Sequence, residues 1–138
     1  MANLDFDHSA DFPSKVLLVD DEKEFIDTLA ERLDTRGIRS KVVYSGEEAL
    51  PVIKEDPPEV VLLDLKMPGM DGMEVLRKIK HEHPMTEVII YTGHGGDVEK
   101  ELSRELGVFA YLQKPVDIGV LIDTMKAAYQ KMKRVSEI

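Results

Sequence analysis

Five short apolar runs, separated by segments of helical spacing, constrain this chain more than any other feature. They lie at about 15–20, 38–44, 59–64, 86–91 and 108–113 and are built mostly from β-branched or aliphatic residues. None shows polar alternation, as expected of strands covered on both faces. In 22–36, Phe25, Ile26, Leu29 and Leu33 fall at i, i+1, i+4 and i+8, and Gly37 supplies a stop. Met73, Leu76 and Ile79 form the stripe of 72–81, and Val98, Leu102 and Leu106 that of 97–106, ended by Gly107. The last helix, about 117–134, has Ile118, Leu121, Ile122, Met125 and Tyr129 on one face; Lys126, Lys131, Lys133 and Arg134 suit its negative dipole end. The segment 45–55 opens on a capping box, Ser45 to Glu48. Pro51 then removes a helical hydrogen bond at a cost of up to ~3 kcal/mol, so this helix is expected to be short, kinked or frayed.

Alternating strands and helices predict an α/β fold, a doubly wound five-stranded parallel sheet in the order 2-1-3-4-5 with helices on both faces. With 138 residues the chain is one domain. Residues 1–14 show no period and read as a poorly ordered tail, the domain runs over 15–134, and 135–138 form a short C-terminal tail.

Composition excludes several functions. Eighteen basic against 27 acidic side chains give a net charge of −9, a poor match for a nucleic-acid backbone. There is no Cys, hence no disulfide and no thiolate chemistry. No run approaches the ~20 apolar residues of a membrane span. The acidic N-terminus lacks the pattern of a signal peptide, so a cytoplasmic location and no membrane contact are expected.

The candidate site follows from what ends each run: Asp20-Asp21 after the first, Asp64 after the third, Thr92 after the fourth and Lys114-Pro115 after the fifth. If the runs are parallel strands, these residues share the sheet edge where open α/β folds place their sites. Three clustered carboxylates raise each other's pKa unless a cation intervenes, and Mg²⁺ suits carboxylate oxygens that share their ion with phosphate. Asp20 or Asp21 read equally well as a helix cap; capping does not explain Asp64. Asp64 begins Asp64-Leu65-Lys66-Met67-Pro68-Gly69-Met70-Asp71-Gly72, a loop dense in turn residues. A strand-end Asp beside such a loop is placed to act as a nucleophile toward phosphorus. The acyl phosphate so formed needs a metal and a positive side chain; Lys114 offers the charge, and Thr92 and the Gly93 N–H offer donors.

These motifs, in this order, resemble the receiver domain of two-component response regulators, a CheY-like, flavodoxin-like fold. The likeness rests on Asp20-Asp21, Val-Leu-Leu-Asp64-Leu-Lys-Met-Pro-Gly-Met-Asp-Gly, Tyr-Thr92-Gly-His-Gly and Tyr111-Leu-Gln-Lys114-Pro115, and runs from about Lys15 to Lys133. The resemblance implies that Asp64 accepts phosphate from a sensor histidine kinase or phosphotransfer protein. It implies Mg²⁺ held by Asp21 and Asp64, by the Lys66 backbone carbonyl and, through water, by Asp20. Lys114 would pair with phosphoryl oxygens, and the Lys114-Pro115 bond would be cis. Thr92 would move toward the phosphoryl group and Tyr111 would turn inward, changing the face of the fourth helix, fifth strand and fifth helix. A downstream target protein, an output domain outside this chain and a phosphorylation-dependent homodimer are the partners this implies. Catalysis would be limited to the domain's own Mg²⁺-dependent phosphorylation and dephosphorylation.

Two departures from common receivers stand out. Gly93 stands where many have Ala, and Lys66 and His94 occupy the positions that tune access of the attacking water. Neither orients water as a carboxylate or amide would, so a phosphate lifetime of minutes or longer is expected. His8, His81 and His83 have no metal spacing and take no role. A dehalogenase-like phosphatase would need a second Asp where Lys66 stands. The competing reading is a receiver-like interaction module that takes no phosphate. Few residues follow Arg134, so the chain is either a single-domain regulator or a receiver cut from a larger one. The Thr92–Gly96 loop is similar to those of nitrogen-control regulators.

Overall fold

The computed structural model describes residues 12–136. Strands β1 (Val16–Val19), β2 (Ser40–Val43), β3 (Val60–Leu63), β4 (Glu87–Thr92) and β5 (Ala110–Gln113) alternate with helices α1 (Lys23–Asp34), α2 (Gly46–Glu55), α3 (Gly72–Glu82), α4 (Asp97–Glu105) and α5 (Ile118–Ser136). All strand pairs are parallel, and the sheet runs β2-β1-β3-β4-β5, the expected order.

Each strand side chain points to one of two cores because successive residues alternate across the sheet. Leu17, Val19, Val61, Leu63, Val88 and Ile90 face Ile53 of α2 and Val75, Leu76 and Ile79 of α3. Val16, Leu18, Val60, Leu62, Ile89 and Tyr91 face Ile26, Leu29 and Leu33 of α1 and Leu121, Met125 and Ala128 of α5. Each such aliphatic side chain contributes about 1.5–3 kcal/mol on burial.

The expectation of strands covered on both faces holds for β1, β3 and β4, while the edge strands β2 and β5 stay half-exposed, having one neighbour each. The α4 stripe is a correction. Val98 is 77% and Leu102 38% exposed, and the helix buries Ser103 instead. Leu106 alone of the three packs against the core. In α3, Val75 joins Leu76 and Ile79 in the core, while Met73 is only partly buried.

Helix α2 is short, as expected, but runs unbroken through Pro51, which sits on its solvent side. Its start is secured twice: the Ser45 hydroxyl accepts from the Glu48 N–H at 3.0 Å, and Glu48 Oε1 accepts from the Tyr44 N–H at 3.0 Å. Of the expected N-terminal tail, 1–11 lie outside the described residues. The remainder is anchored, since Pro13 is buried and the Ser14 N–H donates to Glu59 Oε1 at 2.8 Å. Helix α5 extends two residues past its expected end; 137–138 lie outside the described residues.

Candidate functional site

Register brings the candidate residues together. Val19 pairs with Leu63, so Asp20 and Asp64 each follow their strand at the same level. The ladder continues beyond the strand ends: the Asp64 N–H donates to the Val19 carbonyl at 3.0 Å, and the Lys114 N–H to the Thr92 carbonyl at 2.8 Å. Thr92 pairs with Gln113, which places Lys114 one step past the end of β5.

Asp20, Asp21 and Asp64 offer carboxylate oxygens that all lie within 4.8 Å of one another. Asp20 and Asp64 are buried, and Asp21 is the most open of the three. Asp20 also answers the capping question, because its two oxygens divide the work. Oδ1 accepts from the Glu22 N–H at 2.9 Å, and Oδ2 accepts from Lys114 Nζ at 2.8 Å. Glu22, not Asp21, is the residue flanking α1, and it makes no side-chain cap bond.

Lys114 Nζ lies 3.3 Å from Glu22 Oε1 and 3.9 Å from Asp64 Oδ2. Burial raises the Asp20 carboxyl above its ordinary range, and the Lys114 hydrogen bond and charge offset this only in part. Burial draws the Lys114 ammonium down, but the Asp20 hydrogen bond and the Asp20 and Asp64 charges outweigh it and hold the pKa above its usual value. Asp64 Oδ1 is buried and has no hydrogen-bond partner among the described residues. An orphaned anionic oxygen beside two further carboxylates fits a hard divalent cation such as Mg²⁺, which takes oxygen ligands.

The loop after Asp64 is held at several points. The Gly72 N–H donates to the Leu65 carbonyl at 2.8 Å, the Met70 N–H to Glu47 Oε2 at 3.0 Å, and the Glu74 N–H to the N-cap Asp71 at 3.0 Å. A side chain at Gly72 would collide with the Asp64 carbonyl and reach within 2.6 Å of Leu65 Cα. Glycine there lets α3 start directly against the backbone of Asp64.

Thr92 is fully buried, and its Oγ1 accepts from the His94 N–H at 3.1 Å. Gly93, His94 and Lys66 are exposed. Tyr111 packs inward against the core beside Gly95, its hydroxyl buried without a hydrogen-bond partner among the described residues. Burial, then the Glu99 and Asp97 charges, push its phenol pKa up. The Lys114-Pro115 bond is cis. Sequence reasoning missed Glu22, Phe25 and Tyr91 as neighbours of Lys114. Phe25 carried a signal only in hindsight, as an aromatic assigned to a core stripe that stands 36% exposed.

Residues 16–126 match the family described as the response regulator receiver domain. The chain belongs to that family. Among solved structures, it is similar to a response regulator receiver domain protein of Clostridium thermocellum, at 34% identity and a TM-score of 0.83, covering 88% of this chain and 98% of that one. A CheY-like receiver domain protein of Methanospirillum hungatei matches at 26% identity and a TM-score of 0.84, over 88% and 97%. NtrX of Brucella abortus matches at 28% identity and a TM-score of 0.82, covering 91% of this chain but 28% of that one. The same fold thus occurs both as chains of this size and as one part of a larger regulator. Receiver domains are typically signalling modules rather than enzymes and work with a kinase, and this one carries the acidic pocket of Asp20, Asp21 and Asp64 suited to a metal ion. Among the described residues, no helix is long and apolar enough to cross a membrane.

Proposed function

We propose that this receiver takes a phosphoryl group onto Asp64 from the phosphohistidine of a sensor histidine kinase or a phosphotransfer protein. A carboxylate oxygen of Asp64 forms the new O–P bond, the P–N bond breaks, and the imidazole leaves with its nitrogen reprotonated. One observation supports the reading above the others. Asp64 presents a buried, unpartnered Oδ1 in the cluster it forms with Asp20 and Asp21, and its Oδ2 lies 3.9 Å from the Lys114 ammonium.

Asp20, Asp21 and Asp64, with the Lys66 backbone carbonyl, would hold Mg²⁺, whose charge neutralises the transferring phosphoryl oxygens. Lys114 exchanges its carboxylate contacts for a phosphoryl oxygen. The Gly93 N–H and the Thr92 hydroxyl donate to the others, and Thr92 turns from His94 to do so. Tyr111 reads that change out on the face of α4, β5 and α5, where Val98, Leu102 and Val120 are exposed. A target protein, a second copy of the chain or an attached output domain then senses the altered face, a local electrostatic event biasing a two-state element.

Intact mass after incubation with acetyl phosphate and Mg²⁺, beside Asp64→Asn, tests this. A single phosphate adduct on the unaltered chain alone, lost on chelation, is expected. No adduct, where a control receiver labels, moves the protein to a phosphate-independent interaction module.

A further inference from the structure

The Lys114 ammonium is held by more than carboxylates. Its Nζ lies 4.3 Å from the centroid of the Phe25 ring and 5.6 Å from that of Tyr91. The two rings are 6.0 Å apart and tilted by 59°. Tyr91 is buried as the penultimate residue of β4, whereas Phe25 stands at the solvent edge in the first turn of α1. Burial of the rest of its surface would suit an aliphatic side chain as well as a phenyl ring. The ring face carries the negative part of the aromatic quadrupole and attracts an ammonium within about 6 Å.

A ring face and a carboxylate hold a cation differently. Asp20 Oδ2 at 2.8 Å and Glu22 Oε1 at 3.3 Å accept protons from Nζ, and they compete directly with any phosphoryl oxygen arriving at Asp64. The rings supply attraction with no lone pair, so the N–H bonds stay available. The Lys114 side chain that they flank is 14% exposed.

We infer that Phe25, backed by Tyr91, is a positioning residue for phosphoryl transfer: its ring keeps the Lys114 ammonium beside Asp64, and Glu22 is the competing anion that draws it away. This rests on the reading of Asp64 as the phosphoacceptor. At saturating Mg²⁺, Phe25→Leu, which keeps apolar bulk but loses the ring, slows labelling by acetyl phosphate about fivefold. Phe25→Tyr restores the rate, and Glu22→Gln raises it about two- to threefold. In a Lys114→Ala background, Phe25→Leu has no further effect, because the cation it positions is gone.

A labelling rate for Phe25→Leu equal to that of the unaltered chain overturns the inference. So does an equal loss in Phe25→Tyr, or a loss that persists without Lys114, since either marks a packing effect. A second readout needs no phosphate. The Lys114 side-chain methylene protons of the unaltered protein are expected upfield in NMR spectra, chiefly through the Phe25 ring current, and to lose most of that shift in Phe25→Leu, where only the more distant Tyr91 ring remains. If the unaltered chain takes no phosphate, the phosphoacceptor reading fails by itself. The NMR shift then decides the cradle, its presence supporting the placement of Lys114 and its absence overturning it.

Discussion

Single atoms decide much of what this receiver can do. Tyr111 carries a buried hydroxyl with no partner among the described residues, and such a group costs about 1–3 kcal/mol. Tyr111→Phe is therefore expected to raise stability by about 1 kcal/mol and the melting temperature by about 3 °C, measured by thermal unfolding. Gly95 makes the inward ring feasible, since any side chain there would collide with the Tyr111 hydroxyl and reach within 2.9 Å of its Cζ. Gly95→Ala should lower the melting temperature and expose Tyr111 to solvent quenching of its fluorescence, and the penalty should largely vanish in a Tyr111→Ala background. Lys66 and His94 stand exposed two residues beyond Asp64 and Thr92, and neither orients water as a carboxylate does. The Asp64 phosphate is accordingly expected to last minutes or longer with Mg²⁺ and no phosphatase; decay within seconds, followed by intact mass, contradicts this.

Among the elements, α4 is the least committed to the core. Its apolar spacing is that of a buried stripe, yet Val98 and Leu102 face solvent and Ser103 faces inward. Periodicity reveals that a helix has an apolar side; whether that side meets the sheet depends on how the loops aim it. Val98→Ala should therefore change the melting temperature by no more than about 1 °C, whereas Leu76→Ala in α3 should cost about 2–5 kcal/mol in denaturant unfolding. The start of α4 should also respond to pH. The amides of Glu99 itself and of Gly96 hold the Glu99 carboxyl below its ordinary value, the Gly96 N–H donating to Oε1 at 3.0 Å. With the folded pKa depressed, this contribution is present above the ordinary glutamate range and is lost as pH falls through the folded value. Hydrogen exchange of the first α4 amides should thus accelerate, relative to α3, below about pH 4.5, and Glu99→Gln should remove that dependence.

At the scale of the molecule, strand order and the clustering of the acidic pair with Asp64 and Lys114 were legible from the sequence. Both depend on where apolar runs end, and register then carries Asp20, Asp64 and Lys114 to one edge. The surroundings of Lys114 were not legible, because Phe25 and Tyr91 come from different elements whose contact depends on the angle at which α1 packs. The anchoring of residues 12–14 was hidden for a similar reason: Glu59 receives Ser14 from 45 residues away. The acidic pocket couples to the stability of the whole domain. Three carboxylate groups within 4.8 Å of one another, against the one Lys114 ammonium, leave the folded pocket with excess negative charge for a cation to balance. A divalent ion binding only the folded chain stabilises it by RT ln(1 + [L]/Kd), about 1.4 kcal/mol at tenfold excess over Kd. Adding Mg²⁺ to that level should raise the melting temperature by about 3–5 °C over a chelated sample. Asp64→Asn should lose most of this gain, while Glu22→Gln, which removes a charge outside the cluster, should keep it. An equal gain in Asp64→Asn would assign the effect to general screening of the net charge of −9 instead. Monovalent salt at matched ionic strength separates the two, because screening raises the melting temperature with either salt and the pocket responds only to the divalent ion.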